Sequence, residues 1–433
     1  MSVSEVLAKE MEQKGISKNA MIREIGIDRS TFYKIMNSTR AATTEQLERI
    51  LKCLEADASL RLKVFAEYEK DREDERVYRS RASVKSFLNQ LSDKDGFARQ
   101  GESCPAAIAE AIHHAASEGN GKLSIFLPGT LMIQSGIYGR LIREKKERLL
   151  AVEYLSTAVE TQDETTTLMD NIAVCLNSMG QKNLALHEYC LTNSRVPARG
   201  IPYPFYLITD DRLLLISVDA QNVLPVTDPV QIRAYETYFQ DRLQEAKPLI
   251  SVNGDNTEMF RRMSETFLEA RNRGLRIYFI TPTPCIILTV TKEQLARYRA
   301  DPGLLSYWEL LHSVDCMEFT NTTGITALLQ KRMIEESGFR IPIQDADIPI
   351  LQKNLEERIG RNLFRFNDAS IHMSEYWEIM VCGREKVVFS PFYEGGFAAP
   401  VENGRVASAL ADWCESRMQV INGDLLPQDG SGA

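Results

Sequence analysis

The chain has 433 residues, 44% of them hydrophobic and 26% charged, with a formal net charge of −9. That length suits two or three domains, and that composition excludes disordered and fibrous classes. No run approaches the roughly 20 apolar residues of a membrane-crossing helix, and the amphipathic stretch Met1 to Glu12 contains acidic residues and no apolar signal core. A cytoplasmic protein with no membrane partner is therefore expected. Its eight cysteines (Cys53, Cys104, Cys175, Cys190, Cys285, Cys316, Cys382 and Cys414) form no C-x-x-C pair. They read as reduced thiols that pack as small hydrophobes, without a disulfide framework or structural zinc.

The chain opens with short helices. Ser2-Val3-Ser4-Glu5 has capping-box spacing, and Val3, Val6, Leu7 and Met11 follow at helical intervals. Ser17 suits the cap of a second helix carrying Met21, Ile22 and Ile25. Gly26 then stands where a helix ends in a left-handed conformation, and Asp28 suits the next N-cap. The helix after Asp28 would turn Phe32, Ile35 and Met36 inward and Arg29, Ser30, Thr31, Tyr33 and Lys34 outward. Thr43-Thr44-Glu45-Gln46 is another capping box, ahead of Leu47, Ile50, Leu51 and Leu54. This is the pattern of a helix-turn-helix, whose second helix enters the major groove of DNA. Residues 14 to 40 carry six basic side chains against two acidic ones, within an acidic chain. One basic face on such a chain attracts polyanions locally.

The stretch resembles the phage-repressor (XRE) helix-turn-helix family. The matching residues are Gly15-Ile16-Ser17, Ile25-Gly26-Ile27, Arg29-Ser30-Thr31, Ile35, Asn37 and Arg40, and then the helix with Leu47, Ile50 and Leu54. Lys18 stands where the family usually has glutamine, Ile22 where it has a small residue, and Ser38 where it has glycine. The resemblance implies double-stranded DNA as partner. Arg29, Ser30, Thr31, Tyr33 and Lys34 would face the groove, with Lys18, Asn19, Asn37 and Arg40 nearer the phosphates.

Leu60, Val64, Phe65 and Tyr68 continue a helical stripe, and Glu69 to Arg76 is charged at every position. Val77, Tyr78, Val84, Phe87, Leu88 and Leu91 resume the apolar pattern. These residues suggest a helical connector, free to meet its copy in a homodimer or to stand in solvent. Ser92-Asp93-Lys94-Asp95-Gly96 marks the break before the next domain.

Beyond the break the pattern mixes helix and strand. Pro105 to Glu118 reads as a helix and Lys122 to Leu127 as a buried strand. Arg148 to Leu155 fits a strand or a helix end, and Leu168–Leu176 and Ala185–Leu191 fit strands, although periodicity alone does not separate strand from helix there. Two strand–turn–strand stretches, Tyr206 to Ile216 and Trp377 to Phe389, are each followed by a loop and a helix, Val230–Ala246 and Val401–Met418. That repetition suggests two related halves, and the tail Leu425 to Ala433 reads as frayed. The expected fold is multidomain, with an all-α helix-turn-helix domain before a larger α/β or α+β region. The expected boundaries are 1–68 for the DNA-binding domain, 69–95 for the connector, and 96–250 and 251–433 for the two halves. Residues 100–250 also bear a pattern resemblance to part of a phospholipase-D-like fold. That family's His-x-Lys-x4-Asp signature is absent, because none of His113, His114, His187, His312 and His372 has a lysine two positions on.

Chemistry-bearing motifs are otherwise missing. There is no G-x-x-x-x-G-K-[ST], G-x-G-x-x-G or G-x-S-x-G. His113 and His114 are adjacent, so on a helix they diverge, and Asp210-Asp211 suits a hairpin turn. No catalytic residue, metal ligand or cofactor is expected. The large C-terminal region suits a sensor for a small molecule or peptide, with Tyr203, Tyr206, Tyr278, Thr283 and Tyr393 as candidate lining residues. The other expectation is an enzyme, or a defence or toxin–antitoxin effector, using its helix-turn-helix for autoregulation.

Overall fold

The structure is a computed structural model. It describes residues 3 to 425 except 38, 41, 58–59, 62, 66, 69–74, 93–98, 100, 145–148, 160–162, 180, 182, 198–199, 251–255, 299–301, 337–338, 367–373, 375 and 392–397. The chain forms two compact units, Met1–Ala82 and Ser83–Ala433. It is multidomain: a helical helix-turn-helix unit precedes an α/β unit with two mixed sheets.

The first unit holds α1 (Val3–Gln13), α2 (Lys18–Ile25), α3 (Arg29–Met36) and α4 (Thr44–Cys53). Their apolar residues recur at three- and four-residue spacing, so each helix carries one apolar stripe. The stripes meet in one core, where Leu7, Met21, Phe32, Leu47, Ile50, Leu51 and Leu54 are sealed from solvent together with Val64. Burying side chains of this size contributes roughly 1.5–3 kcal/mol each. Ser2 and the run 69–74 lie outside the described residues, so the first capping box and most of the charged run are not seen. Helix α5 (Glu75–Ser92) crosses the division between the units.

The second unit repeats one topology twice. The first sheet runs β6-β5-β4-β1-β2-β3-β7 and the second β12-β9-β8-β13-β14-β15. In the first, β1 (Lys122–Phe126), β2 (Leu150–Val159) and β3 (Leu184–Val196) are parallel. Strands β4 (Phe205–Ile208), β5 (Leu213–Ile216) and β6 (Val223–Val226) follow as an antiparallel meander, with β4 against β1. The short β7 (Lys247–Pro248) closes the other edge. In the second sheet β8 (Ile277–Ile280), β9 (Cys316–Asn321) and β12 (Leu363–Phe366) make the parallel trio. There β13 (Trp377–Cys382), β14 (Lys386–Pro391) and β15 (Ala399–Val401) make the meander, with β13 against β8. A separate ribbon of β10 (Met333–Glu336) and β11 (Phe339–Pro342) interrupts the second half.

The helices repeat as well. Helix α6 (Ala106–Ser117) precedes the first trio; α7 (Gly129–Gln134), α8 (Ile137–Arg143) and α9 (Glu164–Ser178) make its crossovers; and α10 (Pro229–Glu245) follows the meander. Their counterparts are α11 (Asn256–Arg273), then α12 (Lys292–Arg297), α13 (Pro302–His312), α14 (Thr322–Lys331) and α15 (Ile348–Arg358), and finally α16 (Gly404–Leu425). Parallel strands need such crossovers, whereas antiparallel neighbours need only turns. The strand readings at 122–127 and 185–191 and both hairpins match the structure, as does the helix after each hairpin, and of the two alternatives for Arg148 to Leu155 the strand is observed, from Leu150 on. The tail beyond 425 lies outside the described residues.

Two expectations are corrected. Leu168–Leu176 is helix, not strand: α9 is capped by Asp163, which accepts a 2.8 Å hydrogen bond from the Thr166 amide. Every residue from Thr167 to Ser178 is buried, and a helix buried all round has no polar face to reveal its period. The other correction concerns the connector. Val84, Phe87, Leu88 and Leu91 are buried in a core shared with α9, the second sheet and α16. The Ser83 and Thr166 hydroxyls are 2.6 Å apart, and Gln90 donates to Asp170 at 2.8 Å. This part of α5 thus belongs to its own chain's second unit, and its apolar stripe is already covered.

Candidate nucleic-acid interface

Caps set the angle between α2 and α3. The Ser17 hydroxyl accepts from the Ala20 amide at 3.2 Å and so opens α2. Gly26 ends it at φ 66°, a left-handed conformation that only glycine adopts at little cost. Ile27 is buried as the chain turns, and the Asp28 carboxylate accepts from the Thr31 amide at 2.9 Å to open α3. Hydrogen bonds from the Thr31 side chain and then its amide hold the Asp28 carboxyl below its ordinary range. Two steps later Thr43 and Gln46 complete a reciprocal capping box at the head of α4.

Phe32, Ile35 and Met36 anchor α3 in the core, so its opposite side is fixed outward. Arg29, Ser30, Lys34 and Asn37 are exposed there, and Lys18 and Asn19 are exposed at the start of α2. Tyr33 is half-buried at the centre. Its ring lies 5.7 Å from the Lys18 ammonium and 5.7 Å from the Arg29 guanidinium. Two cations over one ring hold its orientation while keeping both charges in solvent.

Thr31 departs from the expected exposed set. It is 8% exposed, and its hydroxyl accepts from the Arg40 guanidinium at 3.3 Å. The buried side of α3 is one residue wider than the pattern of Phe32, Ile35 and Met36 suggested. Arg40 is exposed and tethered by that bond to the start of α3. Lys14 belongs to the fold, since its ammonium donates to the Leu54 carbonyl at the end of α4 at 2.6 Å. The Arg29–Tyr33 contact was legible as an i, i+4 pair; the approach of Lys18 from another helix was not.

The candidate effector residues that the structure describes lie at different places in the C-terminal unit. Tyr206 lies on β4 in the first sheet's core, packed on Phe126, Tyr235 and Phe239. Tyr278 lies on β8 in the other sheet, and its hydroxyl donates to Glu415 at 2.7 Å. Thr283 follows β8, where its carbonyl accepts from the Thr281 hydroxyl at 2.6 Å. Tyr203 is half-buried before β4, and Tyr393 lies outside the described residues.

Two capped helices around a left-handed glycine, with a basic, aromatic outer face, define a helix-turn-helix DNA-binding domain. The comparisons agree: residues 6–57 match the family model of the Cro/C1-type HTH DNA-binding domain. The N-terminal unit is therefore a helix-turn-helix of the phage-repressor (XRE) type. No curated protein matches the chain. Among solved structures it is similar to the crystal structure of polyphosphate kinase from Porphyromonas gingivalis, at 12% identity and a TM-score of 0.22. That likeness covers 73% of this chain and 45% of the other, so the chain spans under half the kinase's length. A likeness at that TM-score carries no argument. No helix among the described residues is long and apolar enough to cross a membrane.

Proposed function

We propose that this chain is a cytoplasmic, sequence-specific transcriptional regulator and not an enzyme. It binds operator DNA as a homodimer, and its C-terminal unit responds to a small molecule or peptide. The observation that carries the DNA-binding part is the Tyr33 ring held between Lys18 and Arg29 on the exposed side of α3. Arg29, Ser30, Tyr33 and Lys34 meet base edges. Lys18, Asn19, Asn37 and Arg40 meet phosphates, and Thr31 supports Arg40 from within.

The reading is tested by enriching duplexes from a random pool on the full chain and titrating the selected sequence. Each phosphate neutralised contributes about 0.9 to the slope of log affinity against log salt. Arg40→Ala should weaken all duplexes alike, and Tyr33→Ala should change the preferred sequence. Arg29→Ala with Lys34→Ala should lower affinity at least tenfold, each good base contact being worth ~1–3 kcal/mol. If that double variant binds as the unaltered chain does, α3 is not the reading helix. Dimeric binding predicts half-sites ~34–36 Å apart, and a monomer on the selected duplex in sedimentation overturns that part. An effector that couples to DNA should change operator affinity about 5–150-fold. Metabolites that stabilise the chain, leave operator affinity unaltered and are consumed would favour an enzyme instead.

A further inference from the structure

The turn joining β4 to β5 carries Asp210 and Asp211, closed by a 2.9 Å hydrogen bond from the Thr209 amide to the Arg212 carbonyl. Aspartates are ordinary in such turns, but this turn faces the end of α6. The ligand atoms of His114, Asp210 and Asp211 all lie within 4.8 Å of one another. We propose that these three side chains form a divalent transition-metal site, with Zn(II) as the best-fitting ion and water in the fourth position.

Four observations support the site. The His114 Nε2 and Asp211 Oδ2 atoms are 3.6 Å apart. That gap is long for a hydrogen bond, yet two ligands about 2.1 Å from a tetrahedral zinc ion stand roughly 3.4 Å apart. The other ring nitrogen of His114, Nδ1, lies 3.2 Å from the Glu118 carboxylate. A carboxylate behind the imidazole fixes its tautomer and raises its basicity, as in carboxylate–histidine–zinc arrangements.

Asp211 is likewise held from behind. The Thr209 hydroxyl donates to its Oδ1 at 2.8 Å, and Arg212 donates to Oδ2 at 3.2 Å. Arg212 is also drawn aside by Glu110 at 3.0 Å. The Arg212 Nε also donates to Oδ2, at 3.4 Å, and a metal there would take the place of that longer bond. Finally, Gly119 leaves the space that Asp210 occupies, since a Cβ there would stand 3.1 Å from Asp210 Oδ1. One imidazole and two carboxylates suit a borderline cation, and an open position is left for water. Such an ion would tie the hairpin turn to α6 without engaging the DNA-binding unit.

The test is calorimetric titration of the full chain with zinc chloride, followed by cobalt(II) absorption. One saturable site is expected, with the visible bands of tetrahedral cobalt and no thiolate charge-transfer band. His114→Ala and Asp210→Asn should each weaken it at least tenfold, and Glu118→Gln about 10–100-fold, the usual effect of an outer-shell partner. His113→Ala should leave it unchanged, because His113 bonds Glu144 instead. Circular dichroism of each variant checks the fold, and if His114→Ala unfolds, the Asp210 and Glu118 variants decide the matter. A thiolate band, no saturation at millimolar zinc, or equal binding by the unaltered and Asp210 chains overturns the site.

Discussion

The two sheets of the C-terminal unit share one strand order, yet each buries a carboxyl group in a different way. In the second sheet, Glu318 on β9 is fully sealed, and the Arg358 guanidinium at the end of α15 donates to it at 2.6 Å. Its other oxygen accepts from the Thr281 hydroxyl at 3.3 Å and from the Cys285 amide. Arg358 also donates to the Thr289 hydroxyl at 2.7 Å, so one pair ties β9, α15 and the segment after β8 together. In the first sheet, Glu188 on β3 is buried beside Ser156 and Cys175, and no guanidinium among the described residues pairs with it. Burial there pushes its carboxyl well above the ordinary range and so favours the neutral form. Topology decides where strands lie; whether a buried carboxyl meets a cation depends on one side chain that the strand order does not specify.

Removing that cation should have the largest effect. Arg358→Met leaves Glu318 buried and unpaired, and should cost about 3–5 kcal/mol in urea unfolding. Adding Glu318→Gln to it should restore much of the loss, since the stranded charge is then gone. A cost under about 1 kcal/mol would mean that the pair does not hold the second sheet together.

The contrast extends to pH. Glu188 binds its proton more tightly folded than unfolded, so the folded state holds the extra proton between its ordinary and raised pKa. Stability should therefore fall as pH rises above the ordinary glutamate pKa, by about 1.4 kcal/mol per unit while Glu188 stays protonated. Glu188→Gln should remove that fall. Unfolding of both chains across pH 5–8 checks it, and parallel pH profiles would break the contrast.

Two tyrosines sharpen it on a smaller scale. The hydroxyl of Tyr206, in the first sheet, is buried without a hydrogen-bond partner among the described residues, whereas that of Tyr278 bonds Glu415. Tyr278→Phe should cost about 1 kcal/mol, reduced because Glu415 is partly exposed, while Tyr206→Phe should be neutral or slightly stabilising. The reverse order in thermal unfolding would point to a polar partner for Tyr206, such as the effector first assigned to it.

The sequence alone determined what local chemistry controls. The caps Ser17, Asp28 and Thr43, the left-handed Gly26 and the stripe through Phe32 and Ile35 each act within a few residues, so the helix-turn-helix was legible before any fold was known. Both hairpins and the helices after them were legible for the same reason, and the repetition of those units hinted at the doubled topology. Tertiary structure alone decided the rest. It made 168–176 a helix, because burial on every side erased the period that distinguishes helix from strand. It turned Thr31 inward, covered the stripe of α5, brought Lys18 to Tyr33 and set His114 against a turn nearly a hundred positions away. Each of these depends on which surfaces meet, and a linear pattern records only which residues could face one way.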